Sequence, residues 1–325
     1  MGRCNKRRLL LYVVAFFLLI FKGNNFILIF RKKSVAGNKV DKAKDSKQEQ
    51  LNNEITGKKH KKIPNAIYNV VRVFAILFAG GILIYASYNL TESYLNYKED
   101  EKKYAQINQM FIKDNEEKTT EKSQDNKSIR YTKSVSIWKW DYKEMLQYND
   151  EAKGYIKLNG TRIQYPIVEH SDNDFYLKRG SDKVYNGAGA IFLDYRTAGL
   201  DGKMCILYGH NMLDGSMFKE LMNFRDDDFC RKHPTFDIYV GYRHYIYYVF
   251  SVFSDKDDNE NIYKYGFAND GEFQNWINTV SSRSRYNFGV RKPDTSDKII
   301  MCSTCVDDNG NRQIVCLYRG EEVVD

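Results

Sequence analysis

Two β-rich runs joined by an Asn-Gly turn lie near the end of the sequence and constrain it most. The first is Lys298-Ile-Ile-Met-Cys-Ser-Thr-Cys305 and the second is Arg312-Gln-Ile-Val-Cys-Leu-Tyr318. The acidic stretch between them carries Asn309-Gly310, a strong hairpin signal. A tight hairpin sets Cys305, at the end of one strand, beside Arg312, at the start of the next. Upstream, Cys205-Ile-Leu-Tyr-Gly-His-Asn-Met212 reads as a third apolar strand that ends in a histidine. A thiol, an imidazole and a guanidinium at strand ends are the parts of a cysteine acyl-transfer site.

The surrounding pattern predicts more short strands. Residues 154–158 and 161–168 form a hairpin about Asn159-Gly160, residues 190–194 and 204–208 are short strands, and 235–242 with 244–253 make a longer hairpin. Helical spacing covers Trp138 to Tyr148, Ser216 to Phe224 and Gly271 to Ser281. Many short strands with few helices point to a mostly β fold, an antiparallel barrel. Aromatic residues make up 14% of the chain, enough for a sizeable core.

Charge divides the chain. Residues 1–130 hold 25 Lys+Arg against 13 Asp+Glu, a balance of +12, whereas residues 131–325 hold 25 against 29, a balance of −4. The basic excess therefore sits beside the apolar segments, which suits an inner membrane face and not nucleic acid. Val70 to Tyr88 is predominantly apolar, and about 20 helical residues cross roughly 30 Å of hydrocarbon. Its flank is strongly basic before and polar after, which puts the C-terminal domain outside a cell membrane crossed once. The expected organisation is a basic cytoplasmic segment at 1–62, a transmembrane helix at 63–90, a polar stalk at 91–135 and a folded domain at 136–325. Within the first segment, residues 9–30 contain an apolar stretch interrupted by Lys22-Gly-Asn-Asn25. It fits a signal-like region, a weak second span or an upstream extension, and the residues do not choose.

Each candidate site residue has a plain structural alternative. Of six cysteines, Cys205, Cys302 and Cys316 sit inside apolar strands, where a small buried thiol is the default; Cys305 stands at a strand end among polar residues. Cys302 and Cys305 form a C-x-x-C, which raises a redox reading, but that motif works at a helix N-terminus. On a strand, residues three apart face opposite sides roughly 10 Å apart, beyond the ~7 Å a disulfide spans. Zinc lacks a second ligand pair. His210 follows Gly209, which permits close backbone approach; a lone histidine is otherwise more often structural. Arg312 would stabilise a carbonyl oxygen as it gains charge, against the usual fate of a turn arginine on the surface.

These residues resemble a known family. Ser303-Thr-Cys305 at a strand end, Arg312 seven residues on and Gly209-His-Asn-Met212 at an earlier strand end are similar to sortases, the cysteine transpeptidases of Gram-positive surfaces. The run from Tyr208 to Leu221 resembles the class B branch closely, and the likeness covers roughly residues 136–325. One departure is Met301-Cys302, where the family usually has Thr-Leu; both are strand residues, so a packing change is expected.

The resemblance implies a Cys/His/Arg site, His210, Cys305 and Arg312, on an eight-stranded barrel. It also implies peptide contacts at Asn173 and Leu177, within Asp172-Asn-Asp-Phe-Tyr-Leu177, and at Ser303. Cys305 would attack a C-terminal sorting signal of secreted proteins, form a thioester and release the tail with a proton from His210. An amine of peptidoglycan or of its lipid-linked precursor would then resolve the thioester. No metal or organic cofactor is implied, and membrane lipid is the remaining partner. Class B members anchor haem-uptake proteins or build pili, and the residues do not choose. Two other readings remain, a membrane-tethered thiol oxidoreductase using Cys302 and Cys305, and a non-catalytic surface binding module.

Overall fold

The computed structural model describes residues 64–114, 138–307 and 309–324. The expected basic segment at 1–62, most of the stalk after residue 114 and Asp308 lie outside the described residues. Two compact units divide the chain, Met1–Leu90 and Thr91–Asp325.

In the first unit the described part is helix. α1 spans Asn65–Phe111 and so continues into the second unit. An 18-residue window in its apolar stretch has a mean hydropathy of 2.1 and is unburied. Among the described residues it is one helix long and apolar enough to cross a membrane.

In the second unit, eight strands among the described residues close a barrel in the order β10-β8-β7-β3-β4-β5-β6-β9. They are β3 (Ala152–Lys157), β4 (Gln164–Val168), β5 (Ile191–Leu193), β6 (Met204–Tyr208), β7 (Thr235–Val240), β8 (Arg243–Lys256), β9 (Ile299–Cys305) and β10 (Asn311–Val323). A separate short pair joins β1 (Ile112–Asp114) to β2 (Trp138–Trp140). The expected antiparallel barrel is corrected in detail, because β4 pairs with β5 and β6 with β9 in parallel. Parallel neighbours need a long crossover. Between β6 and β9 that crossover carries helix α3 (Asp227–Lys232), β7, β8 and helix α4 (Asp270–Ser282).

Strand residues alternate between two cores. Ile300, Cys302, Val315, Leu317, Cys205 and Leu207 join the main core. Their neighbours Ile299, Met301, Ile314, Cys316, Met204 and Ile206 pack outward against Phe273, Trp276, Ile277 and Val280 of α4. Both strand faces are therefore covered, which is why these runs read as continuously apolar. α4 is fixed at its start by a reciprocal cap: Asn269 accepts from the Glu272 amide at 3.0 Å and Glu272 accepts from the Ala268 amide at 2.8 Å.

Three further differences from expectation have physical causes. Trp138 and Trp140 belong to strand β2, and the helix begins later as α2 (Tyr142–Tyr148), capped by Asp141. The helix expected over 216–224 is a 3-10 helix, Phe218–Arg225, entered through Met217 at φ 57°. The second compact unit begins at Thr91, earlier than the expected residue 136, because Tyr104, Ile107 and Phe111 on α1 are buried in its core.

Candidate active site

Cys305 and Arg312 are direct cross-strand partners on β9 and β10. The turn between them includes Gly310 at φ 79°, a left-handed conformation that suits glycine. Arg312 Nη1 donates to the Cys305 sulfur. Its Nε and Nη2 donate to Asp257 Oδ2 at 3.1 and 2.6 Å. The Asp257 amide in turn donates to the Gly310 carbonyl at 2.9 Å. Burial opposes charge on the guanidinium, but the Cys305 sulfur and the Asp257 carboxylate more than offset it, and Arg312 is held above its ordinary pKa.

His210 arrives from the parallel neighbour. Tyr208 on β6 lies opposite Ser303 on β9, so each strand delivers its site residue two positions further on, at one end of the barrel. Contacts hold the two strand ends together past the ladder. The Gly209 amide donates to the Ser303 carbonyl at 3.3 Å, Thr304 Oγ1 donates to the Gly209 carbonyl at 2.8 Å, and Asn211 Nδ2 donates to the Cys305 carbonyl at 2.6 Å. Gly209 is required by space: a Cβ there would stand 2.5 Å from Ile191 Cδ1 and 2.7 Å from the Phe218 ring.

The imidazole is oriented by backbone. His210 Nε2 lies 2.7 Å from the Leu177 carbonyl oxygen. A carbonyl can only accept, so Nε2 carries the hydrogen of this contact, and proton exchange would fall to Nδ1. The loop after His210 folds back, with Asn211 bridged to Met217 and the Phe218 amide donating to the His210 carbonyl at 3.0 Å.

The expected peptide-contact residues occupy distinct settings. Leu177 meets His210 through its carbonyl oxygen, while its side chain packs beside Tyr176, Ala190 and Phe192. Asn173 Oδ1 accepts from the Tyr195 amide at 3.3 Å. Ser303 is buried, with its hydroxyl 2.9 Å from that of Tyr263.

The other thiols are enclosed. Burial pushes the Cys302 thiol well above its ordinary pKa and that of Cys205 up to about 12. Cys302 is fully buried in the main core, whereas Cys305 is partly exposed. A redox pair of the two finds no support in this placement. Asp307 caps its own turn, accepting from the Asn309 and Asn311 amides at 2.9 and 3.2 Å.

Sequence reasoning missed two contacts of the site. Asn211 stood inside the quoted Gly-His-Asn-Met run, so its signal was available. Asp257 lies in an acidic stretch, Asp255-Lys-Asp-Asp258, with nothing local to mark it; the register of β8 against β10 brings it to Arg312.

A closed barrel whose mouth presents a thiol against a guanidinium, with an imidazole from the adjoining parallel strand, has the architecture of a cysteine transpeptidase. A family model of the sortase domain matches residues 156–319, and the chain belongs to the sortase family, in its class B branch. Sortase B of Listeria monocytogenes is 35% identical over 167 residues, 51% of this chain and 67% of that protein. Sortase B of Staphylococcus aureus is 26% identical over 229 residues, 70% of this chain and 86% of that protein. Among solved structures, sortase B from B. anthracis in complex with AAEK1 superposes with a TM-score of 0.57 at 28% identity, over 70% of this chain and 99% of that one. A Staphylococcus aureus sortase B–substrate complex gives a TM-score of 0.52 at 26% identity, over 56% and 85%.

Proposed function

We propose that this sortase cleaves a C-terminal sorting signal of secreted proteins and joins the acyl fragment to an amine of peptidoglycan or of its lipid-linked precursor. The observation that carries the reading is the contact of Arg312 Nη1 with the Cys305 sulfur. It pairs the one partly exposed thiol among the described cysteines with a permanent cation. Cys305 passes its proton to His210, attacks the scissile carbonyl as thiolate and forms a carbon–sulfur bond. The carbonyl oxygen takes up the electron pair, and Arg312 stabilises that charge by donation. As the carbon–nitrogen bond breaks, His210 gives its proton to the leaving amine. An acceptor amine then attacks the thioester, its proton passes to His210, and Cys305 leaves as thiolate.

Asn173, Leu177 and Ser303 are the proposed peptide contacts. The apolar part of α1 is the proposed single membrane anchor, with residues 1–62 cytoplasmic and the barrel outside; the basic flank before Val70 supports that direction. The test is intact-mass spectrometry of the full chain in detergent with a library of sorting-type peptides. Wild type should gain the mass of an acyl fragment, and Cys305→Ala should not. An adduct that persists on Cys305→Ala would place the nucleophile elsewhere.

A further inference from the structure

We infer that the C-terminal part of α1 is a positioning element for His210, with Tyr104 at its centre. This rests on the reading of His210 as the proton carrier of the reaction. Tyr104 is buried, and its hydroxyl donates to the Gly189 carbonyl at 2.5 Å. Gly189 backs the imidazole. A Cβ on it would stand 2.7 Å from the Tyr176 carbonyl oxygen, 2.9 Å from the Leu177 carbonyl oxygen and 3.1 Å from His210 Cδ2. Its φ of 66° also favours glycine. The next amide, Ala190, donates to the Tyr176 carbonyl at 3.0 Å. Tyr104 therefore fixes the segment that lies against both the imidazole and the carbonyl that orients it.

The same helix face supports the other side of His210. The Tyr104 ring packs edge-on against Tyr165, with centroids 5.1 Å apart. Tyr165 Oη accepts from the Met217 amide at 2.9 Å, and Met217 is the bridge partner of Asn211, next to His210. One turn earlier, Glu101 Oε1 accepts from Arg162 Nη2 at 3.0 Å, and Arg162 Nη1 donates to the Asp214 carbonyl at 2.6 Å. Segments 186–190 and 211–217, which flank His210, are thus both tied to α1. Tyr104 touches no reacting atom, so its effect passes through the tautomer and aim of the ring.

The experiment compares the full chain in detergent, wild type against Tyr104→Phe and Arg162→Gln. The first removes one hydroxyl and keeps the ring; the second breaks the Glu101 to Asp214 link. Rates are counted per Cys305 thiol titrated with an alkylating reagent, and chains that mass spectrometry finds labelled at the buried cysteines as well are subtracted, so that misfolded protein drops out. With an amide peptide, kcat per titrated thiol should fall ten- to a hundredfold in Tyr104→Phe, the scale set by small displacements of a catalytic group, while KM stays close to wild type. An ester analogue, whose alkoxide leaves with far less need of a proton, should lose much less. Ring nitrogen-15 spectra, with the His210 signal assigned by its loss in His210→Gln, should show the Nε2-protonated form in wild type and a mixed form in both variants. Unchanged ring signals, unchanged kcat per titrated thiol, or equal losses on amide and ester would each overturn the inference. A wild-type chain that acylates no peptide would instead sink the transpeptidase reading, and the ring spectra would still decide the role of Tyr104.

Discussion

Arg312 and Cys305 face each other across the β9–β10 ladder, and the same guanidinium is tied on its far edge to Asp257. Two of its nitrogens are thereby occupied and one is aimed at the sulfur. Lysine keeps the charge and loses the planar fork. Arg312→Lys should lower turnover by on the order of a hundredfold, as for loss of one oxyanion donor, with folding little changed. Steady-state rates beside circular dichroism test this; wild-type turnover would make Arg312 a bystander.

Asp257 holds the arginine without reaching the thiol. Asp257→Asn keeps the volume and removes the charge. We expect roughly a tenfold drop in kcat, smaller than the loss from removing the donor itself, with labelling among the described cysteines still confined to Cys305. A kcat equal to wild type would mean that the ladder alone aims Arg312.

Burial separates the thiols of β9. Cys302 is enclosed and its thiol is pushed far up, so it should resist alkylation while the chain is folded. Cys302→Ala should cost about 1 kcal/mol of stability and leave the acyl adduct intact. Loss of the adduct in a folded Cys302→Ala chain would revive a paired-thiol chemistry.

Acid should weaken one clamp at the other end of the hairpin. Asp201 accepts from Lys298 Nζ at 2.8 Å and from Arg319 Nη1 at 2.7 Å, and these cations hold its carboxyl at about 2 against an ordinary 3.8. The folded chain favours the charged form, so this contribution is fully present above the ordinary value and fades as pH falls towards about 2. Near neutral pH, Asp201→Asn should unfold at a lower temperature than wild type, and the gap should close across that acidic window. A gap independent of pH would show that the carboxylate charge contributes nothing.

Topology is checked on intact protoplasts. Added protease should remove the barrel beyond residue 91 if it lies outside the cell. Full protection would reverse the proposed orientation.

What the sequence revealed follows distance along the chain. The β9–β10 hairpin was legible because five turn residues and their Asn-Gly signal specify it locally, and the site pair Cys305 and Arg312 came with it. The parallel pairs were not, since β6 meets β9 across more than ninety residues and no nearby residue encodes the direction. Trp138-Lys-Trp140 fits both periods, and its buried–exposed–buried pattern settled on a strand. The polar run after residue 91 read as a stalk because charge dominates it. Yet Tyr97, Tyr104, Ile107 and Phe111 recur at helical spacing, a stripe that marks a docked helix. Asp257 reaches Arg312 only through register, which composition does not contain.

The parallel seam between β6 and β9 also governs when the enzyme can be dangerous. Its thiol and imidazole come from segments separated by an entire crossover, and loop-closure entropy makes such pairings slow to form. Until that seam closes, Cys305 sits in a chain with His210 far away, an ordinary thiol with no proton carrier beside it. A chain in which that seam is still open therefore lacks the proposed pairing of thiol and imidazole. The nucleophile and the proton carrier of the proposed reaction come together only when that seam closes.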